Sequence, residues 1–468
     1  MKENLVLHNL EDQAIDPSQQ PESNGKSRMT RRTVLAGGAA AATLGMLGGW
    51  ELAQAQSDTS SPCSDVPITP TASRPAPNND SYVASAPETE LAFRCYGFHE
   101  EFTNLDTTPL GNHYLLIHFD IPQLSATNYS VAVGGRVKNP KVITLNQLKA
   151  MPNVTQSVTL ECAGTGRHLL DPRPVYVPWF KNAIGTYTYV GTPLAPILQA
   201  AGIFNDAIEV IFTGWDHGVD VGVQMAFERS MPLADAMHPE VMLAWQANGQ
   251  DLLPQHGFPL RLIVPSWYGM ASVKWLRAIT VSDDAFQGVQ VSEQYRYKTS
   301  ASDPGTPVRE KRVNSVMTPP GIPDLISRFR FLAPGSYTIT GKAWSGMGSI
   351  TSVEFSSDNG QTFRPATIRR PFSDANAWVA WSAPWAPTAG QYTLRCRATD
   401  SAGNTQPLLA NTIFNYQGNA INAADSIPVT VQSGIGTGLD RVPSNWSAVL
   451  PGAVVPQNVD SDDINQVA

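Results

Sequence analysis

From about residue 312 to 420 the chain keeps returning to one pattern, a short run of alternating apolar and polar residues followed by a turn. Tyr337-Thr338-Ile339-Thr340, Ile350-Thr351-Ser352-Val353-Glu354-Phe355 and Gln391-Tyr392-Thr393-Leu394-Arg395-Cys396 each put their apolar side chains on one face of an extended backbone. Ser357-Asp358-Asn359-Gly360 is a hairpin turn, because Asn and Gly tolerate the positive φ that such a turn requires. Strands this short and this closely spaced have few ways to bury their apolar faces, and the pattern predicts an all-β sandwich of immunoglobulin-like character. Cys396 alternates inward and reads as a buried structural thiol. Beyond about residue 421 the pattern fades, so 421–468 reads as a C-terminal tail in which Trp446 to Pro451 is the segment able to pack on the body.

The texture differs upstream. Residues 91–298 mix strands with short helices, which indicates an α+β domain. Tyr114 to Phe119, Tyr129 to Val133, 207–213, 241–246 and 259–265 read as strands. Thr144 is an N-cap for a short helix, and Pro193 to Ala201 forms another that Gly202 closes. Ser, Pro, Gly and Thr crowd 299–308, a connection between the two folded parts. At the other end, 1–27 is polar and without apolar period, which reads as disorder. Thr30-Arg31-Arg32-Thr33-Val34-Leu35 then leads into an Ala/Gly/Leu run ending in Ala53-Gln54-Ala55. Residues 1–55 therefore read as an extension carrying a twin-arginine export signal, too short and too rich in Gly and Ala to favour a membrane anchor. A periplasmic protein with no stable span after signal removal is the expectation. Residues 56–90, rich in Ser, Pro, Thr and Asn, form a linker. Cys63 in that linker and Cys95 just beyond it either pair in an oxidising compartment or remain two free thiols.

Composition excludes several function classes. Net charge is −8, and no basic run stands out past the N-terminus, so nucleic acid is not an expected partner. Four cysteines are too few for a disulfide scaffold. With no Cys-x-x-Cys-His and no clustered cysteines, neither haem nor an iron–sulfur cluster is expected in this chain.

The chemistry gathers around one thiol. The β-branched run Val154 to Leu160 reads as a buried strand delivering Cys162 into the turn Ala163-Gly164-Thr165-Gly166-Arg167. Glycines let something bulky approach the backbone, and Arg167 is placed to lower the thiol's pKa. Such a cysteine is a soft metal ligand or a nucleophile, or else an inert buried thiol.

Three ordered blocks carry a resemblance. They are Thr159 to Arg167 around Cys162; His256-Gly257-Phe258-Pro259-Leu260-Arg261-Leu262-Ile263-Val264-Pro265 continuing to Ala271-Ser272-Val273-Lys274-Trp275-Leu276; and Gly341-Lys342-Ala343-Trp344-Ser345-Gly346. Together they resemble the sulfite oxidase family of molybdopterin-dependent oxidoreductases, in its exported, haem-free bacterial form. The resemblance implies a molybdopterin-binding α+β domain followed by an immunoglobulin-like dimerisation domain at 312–420. It implies a single molybdenum ligated by Cys162 and held mainly by a pterin dithiolene. His118, His256, Arg261, Ser272, Val273 and Lys274 match cofactor-binding positions, and Tyr297 matches the tyrosine at the active-site mouth. For each basic residue alone, a surface charge is the ordinary alternative. The partners implied are a small-molecule substrate, a separate electron-transfer protein such as a c-type cytochrome, and a second copy of the chain.

The chain departs from the family at three places. Leu116 and Ala380 stand where sulfite-oxidising members carry arginines, and Thr165 replaces the usual asparagine. A buried anion needs cationic partners, so these changes weaken sulfite itself as substrate, unless Asp216, His217 or Arg229 compensates. The leading reading is two-electron oxo transfer on sulfite or a related oxyanion. Its rivals are a sulfoxide-type reductase, whose neutral substrate needs fewer cations, and a cofactor-binding protein that has lost catalysis.

Overall fold

The computed structural model describes residues 95–97 and 103–435, except 173, 175, 221, 325 and 326. The export signal, the linker, Cys63 and Trp446 to Pro451 lie outside the described residues; Cys95 carries a free thiol.

Two five-stranded sheets build the first domain. One runs Lys141–Thr144, Ser130–Gly135, Leu276–Ser282, Glu209–Asp220, Val223–Pro232, and only the pair of Ser130–Gly135 with Leu276–Ser282 is parallel. The other runs Gln250–Asp251, Met242–Ala247, Ile184–Pro193, Val154–Glu161, with Arg261–Ile263 also pairing to Met242–Ala247. The two short helices form as their signals predict. Thr144 and Gln147 complete a reciprocal capping box on Leu145–Lys149, and Gly202, at φ +70°, closes Leu194–Ala201. Tyr114 to Phe119 is extended into a sheet only at Leu115–Leu116, which pairs with Cys95–Tyr96.

The second domain packs a four-stranded sheet on a six-stranded one. Trp381, Trp385, Phe355, Leu394 and Val429 fill the space between them, and Cys396 is buried there, accepting a hydrogen bond from Ser315 Oγ at 3.3 Å. The turn at 357–360 forms as read, with Asn359 and Gly360 at φ +62° and +86°. The boundary of the domain is corrected by the structure. Ser426–Val431 is no tail but an inner strand of the six-stranded sheet, parallel to Arg330–Leu332 and antiparallel to Gly390–Asp400. Its Ile427, Val429 and Val431 alternate into the core. Pro428 disguises it in the sequence, because proline removes a ladder donor. The pairing with Arg330–Leu332 starts only at Val429, so the missing N–H costs that ladder nothing.

The cysteine strand Val154–Glu161 is the outermost strand of its own sheet, and the second domain closes its free edge. Thr159 N donates to Asn376 O at 3.0 Å, Ser157 N to an Asp374 carboxylate oxygen at 3.0 Å, and Trp378 N to Thr159 Oγ1 at 2.8 Å. Behind this seam lies a buried polar network. The Glu161 carboxylate accepts from Asn314 Nδ2 at 2.6 Å and from Trp344 Nε1 at 2.8 Å. Lys181 Nζ donates to Asn314 Oδ1 at 2.8 Å. Lys311 Nζ donates to the carbonyls of Thr159 and Pro265, tying the cysteine strand to the end of the histidine-arginine block. Burial holds Lys181 and Lys311 down to about 8, with Glu161 opposing the shift in both.

Candidate active site

Adjacent residues on an extended chain face opposite ways. Glu161 therefore turns to the second domain, while Cys162, one step on, turns into a cavity of about 640 Å³ including its mouth. Backbone bonds hold the cysteine in place: its N–H donates to Ala183 O at 2.9 Å, and its carbonyl accepts from Thr165 N at 3.0 Å. Gly164 N lies 3.4 Å from the sulfur and donates to it. Burial pushes the thiol's pKa up, and the Arg167 guanidinium and the Gly164 N–H pull against that.

The bulky group admitted by the glycines turns out to be Arg167 itself. A Cβ at Gly164 would sit 2.7 Å from its guanidinium nitrogen, and one at Gly418 2.7 Å from its Cγ. That close fit lets Arg167 donate to Val177 O at 2.8 Å, Gly418 O at 3.1 Å and Asn419 Oδ1 at 3.1 Å, all reached from a buried position.

The second sequence block meets the thiol across the cavity. Arg261 donates to His256 O at 2.8 Å and to Ser272 O at 2.9 Å, so one guanidinium ties both ends of the block together. Ser272 Oγ accepts from Val264 N at 3.0 Å, and Lys274 Nζ donates to Leu116 O and Gln255 O, each at 3.1 Å. His118, His256, Arg261, Ser272 and Lys274 all line the cavity with Cys162. Val273 does not; its side chain packs in the domain core. Burial, then Arg261, push the Lys274 ammonium down, while burial pushes the Asp216 carboxyl up and Lys274 opposes that.

Tyr297 also lies away from the cavity. It sits on the short strand Arg296–Tyr297, with the Arg312 guanidinium carbon 4.7 Å from its ring centroid. Tyr295 lines the cavity instead, its hydroxyl 2.7 Å from His118 Nε2. The reason is local. Tyr295 has φ +47°, a left-handed turn of the backbone that breaks the alternation expected of a strand. Burial pushes the His118 imidazole down to about 3, so it is neutral near pH 7, and raises the Tyr295 hydroxyl, which stays protonated.

Of the departures, Leu116 does line the cavity, whereas Ala380 is on the sandwich strand Val379–Trp385, opposite Lys342. Asp216 enters the cavity, His217 is exposed, and Arg229 stands behind Tyr295, 5.3 Å from its ring centroid. Sequence reasoning missed His113. Its ring packs 4.6 Å from Tyr187 and 5.5 Å from His256, against Gly185, where a Cβ would come within 2.3 Å of it. A glycine inside an otherwise β-branched and aromatic strand was the available signal.

Four buried polar atoms on cavity-lining residues have no partner: His113 Nε2, His256 Nε2, Arg261 Nε and Asp216 Oδ1. Each would cost about 1–3 kcal/mol if left so, and that many together mark the seat of a polar ligand. Among the described residues no group of three or more His, Cys, Asp or Glu could hold a metal ion. A metal at Cys162 therefore takes one thiolate from the chain and its other bonds from a second group. A pterin bearing a dithiolene and a phosphate fits this donor set, with histidine, arginine, lysine and carboxylate around a single sulfur.

Residues 118–290 match the oxidoreductase molybdopterin binding domain, and 306–431 match the Mo-co oxidoreductase dimerisation domain. The chain belongs to the sulfite oxidase family of molybdopterin oxidoreductases. Human mitochondrial sulfite oxidase is 31% identical over 335 residues, covering 67% of this chain and 60% of that protein. The NADH nitrate reductase of Ulva prolifera is 29% identical over 388 residues, covering 75% of this chain and 44% of that one. This sulfite oxidase family chain thus spans less than two thirds of both relatives. Among solved structures, the sulfane dehydrogenase SoxCD of Paracoccus pantotrophus superposes with a TM-score of 0.62 at 27% identity, over 69% of this chain and 81% of that one. The family's dimerisation domain ends at the strand Ser426–Val431, in agreement with the corrected boundary.

Proposed function

We propose that the chain is a molybdenum–pterin oxidoreductase performing two-electron oxo transfer on a small substrate and passing the electrons to a separate protein. The observation that carries this is the convergence of the Cys162 thiol with four unpartnered polar atoms and the Lys274 ammonium in one cavity. When bound, the molybdenum–pterin supplies a metal that changes oxidation state by two and exchanges an oxo group. The chain's share is separate. Cys162 offers one thiolate, favoured by Arg167 and the Gly164 N–H. His256, Arg261, Ser272, Lys274 and Asp216, which line the cavity, would hold the pterin and its phosphate. Leu116, Phe227 and Met270 add apolar surface to the lining, which limits water there. Tyr295 keeps its hydroxyl protonated beside His118, where it can offer a hydrogen bond to a substrate oxygen without losing its proton.

The substrate class follows from the walls. Among the described residues Arg261 is the single arginine lining the cavity, and both its terminal nitrogens are engaged by backbone carbonyls. That favours a weakly charged or neutral sulfur or nitrogen compound, including a sulfoxide-type acceptor, over a dianion such as sulfite. The likeness to a sulfane dehydrogenase supports sulfur chemistry. Export by the twin-arginine signal and homodimerisation through the second domain belong to the same proposal. Arg31→Lys with Arg32→Lys should hold the protein in the cytoplasm, and sedimentation of the purified protein should give twice the chain mass.

Metal analysis decides the central point. Purified protein should carry one molybdenum and one pterin per chain, and Cys162→Ser should abolish turnover with ferricyanide across sulfite, sulfoxides and nitrogen oxides. Protein isolated without molybdenum and without pterin fluorescence after acid release would overturn the reading.

A further inference from the structure

A second cavity, of about 880 Å³ including its open mouth, lies on the far side of Tyr295. Its walls are the start of the strand Glu209–Asp220, the strand Val223–Pro232, the segment 285–292 and the strap 304–309. Three arginines line it and one carboxylate, Glu209.

These charged groups are not equally committed. Arg296 donates to the carbonyls of Pro304, Val291 and Gly305, so its nitrogens are spent on the backbone. Glu209 accepts from Ser230 Oγ at 2.7 Å and from Phe286 N at 2.5 Å, so both oxygens are used. Arg309 lies 5.6 Å from the Trp267 ring centroid and makes no side-chain hydrogen bond or ion pair among the described residues. Arg229 is 2% exposed; it donates once, to Gln290 O, and its Nε has no partner. A guanidinium that deeply buried and left with an orphaned N–H is costly unless an acceptor joins it.

We propose that this second cavity binds a small oxyanion, sulfate-like or carboxylate-bearing, between Arg229 and Arg309. Two guanidinium groups lining one solvent-accessible space, neither of them paired with a carboxylate, are suited to the paired oxygens of such a ligand. The site is separate from the one that holds Cys162: Arg229 and Arg309 line this cavity and not the first, and Tyr295, which lines the first, lies against Arg229. An anion drawn to Arg229 also reaches the partner of His118, since the Arg229 guanidinium stacks on the Tyr295 ring.

Calorimetric titration of sulfate into the purified holoenzyme tests this, and a variant at Arg309, which lines the second cavity and not the first, tells the two apart. Wild type should bind one sulfate per chain. Arg309→Gln, on a partly buried residue outside the first cavity, should weaken that binding by about tenfold or more while leaving turnover without sulfate unchanged. Arg229→Gln should weaken it further. Absence of sulfate binding by wild type into the tens of millimolar, or unchanged affinity in Arg309→Gln, overturns the proposal. Acetate in a parallel titration separates a carboxylate site from one that requires a tetrahedral oxyanion. Either result leaves the molybdenum analysis above untouched.

Discussion

At the scale of single residues, the working surface depends on a few side chains that brace backbone rather than touch ligand with every atom. Arg261 is the clearest, since its fork spans His256 O and Ser272 O and leaves Nε for the cavity. Lysine cannot reproduce a fork. Arg261→Lys should therefore lower pterin content of purified protein by about tenfold with little change in circular dichroism. Asp425 illustrates a charge that supports stability. Burial alone would raise its carboxyl, but Arg328 at 2.8 Å and His168 at 3.8 Å hold it well below the usual range. A depressed carboxyl contributes stability that is fully present above its unfolded pKa, about 4, and is lost as pH falls below that toward the folded value. Asp425→Asn should cost about 3–5 kcal/mol at pH 7, and its unfolding free energy should change less with pH on the acid side than wild type's.

At the scale of elements, what the sequence could reveal depended on whether a feature is contiguous. The block from His256 to Lys274 was legible as a unit because one short stretch supplies His256, Arg261, Ser272 and Lys274 to the same cavity. The Cys162 turn was legible for the same reason. His113 and Asp216 come from other elements, and nothing in their local sequence says which cavity they share. Tyr295 and Tyr297 are two residues apart, and a single left-handed φ, invisible to motif matching, decides which reaches the cavity. Of the second domain the alternating strands were plain, while Ser426–Val431 was hidden by Pro428. That hidden strand now makes a prediction. Leu394 pairs with Ile427 across the sheet and is fully buried, so Leu394→Ala should destabilise the protein by about 2–5 kcal/mol in urea unfolding.

At the scale of the whole described molecule, the two domains share a core. Ile184 of the first packs with Val316, Trp344 and Trp378 of the second. Lys311 carries this sharing to the backbone: it satisfies Thr159 O and Pro265 O, one from the cysteine strand and one from the block that follows His256. Lys311→Ala would strand two buried carbonyls at about 1–3 kcal/mol each. Its melting temperature should fall, and both domains should still unfold in one calorimetric transition. Among the described residues no helix is long and apolar enough to cross a membrane.

The seam along Val154–Glu161 has a wider consequence. An outer strand with bare amides invites the strands of other molecules to add to it, and here residues 374–378 occupy that position from within the same chain. A fragment ending before the sandwich would lose this guard. Its expected fate is runaway self-association, edge to edge, with the strand that leads to Cys162 as the sticky surface.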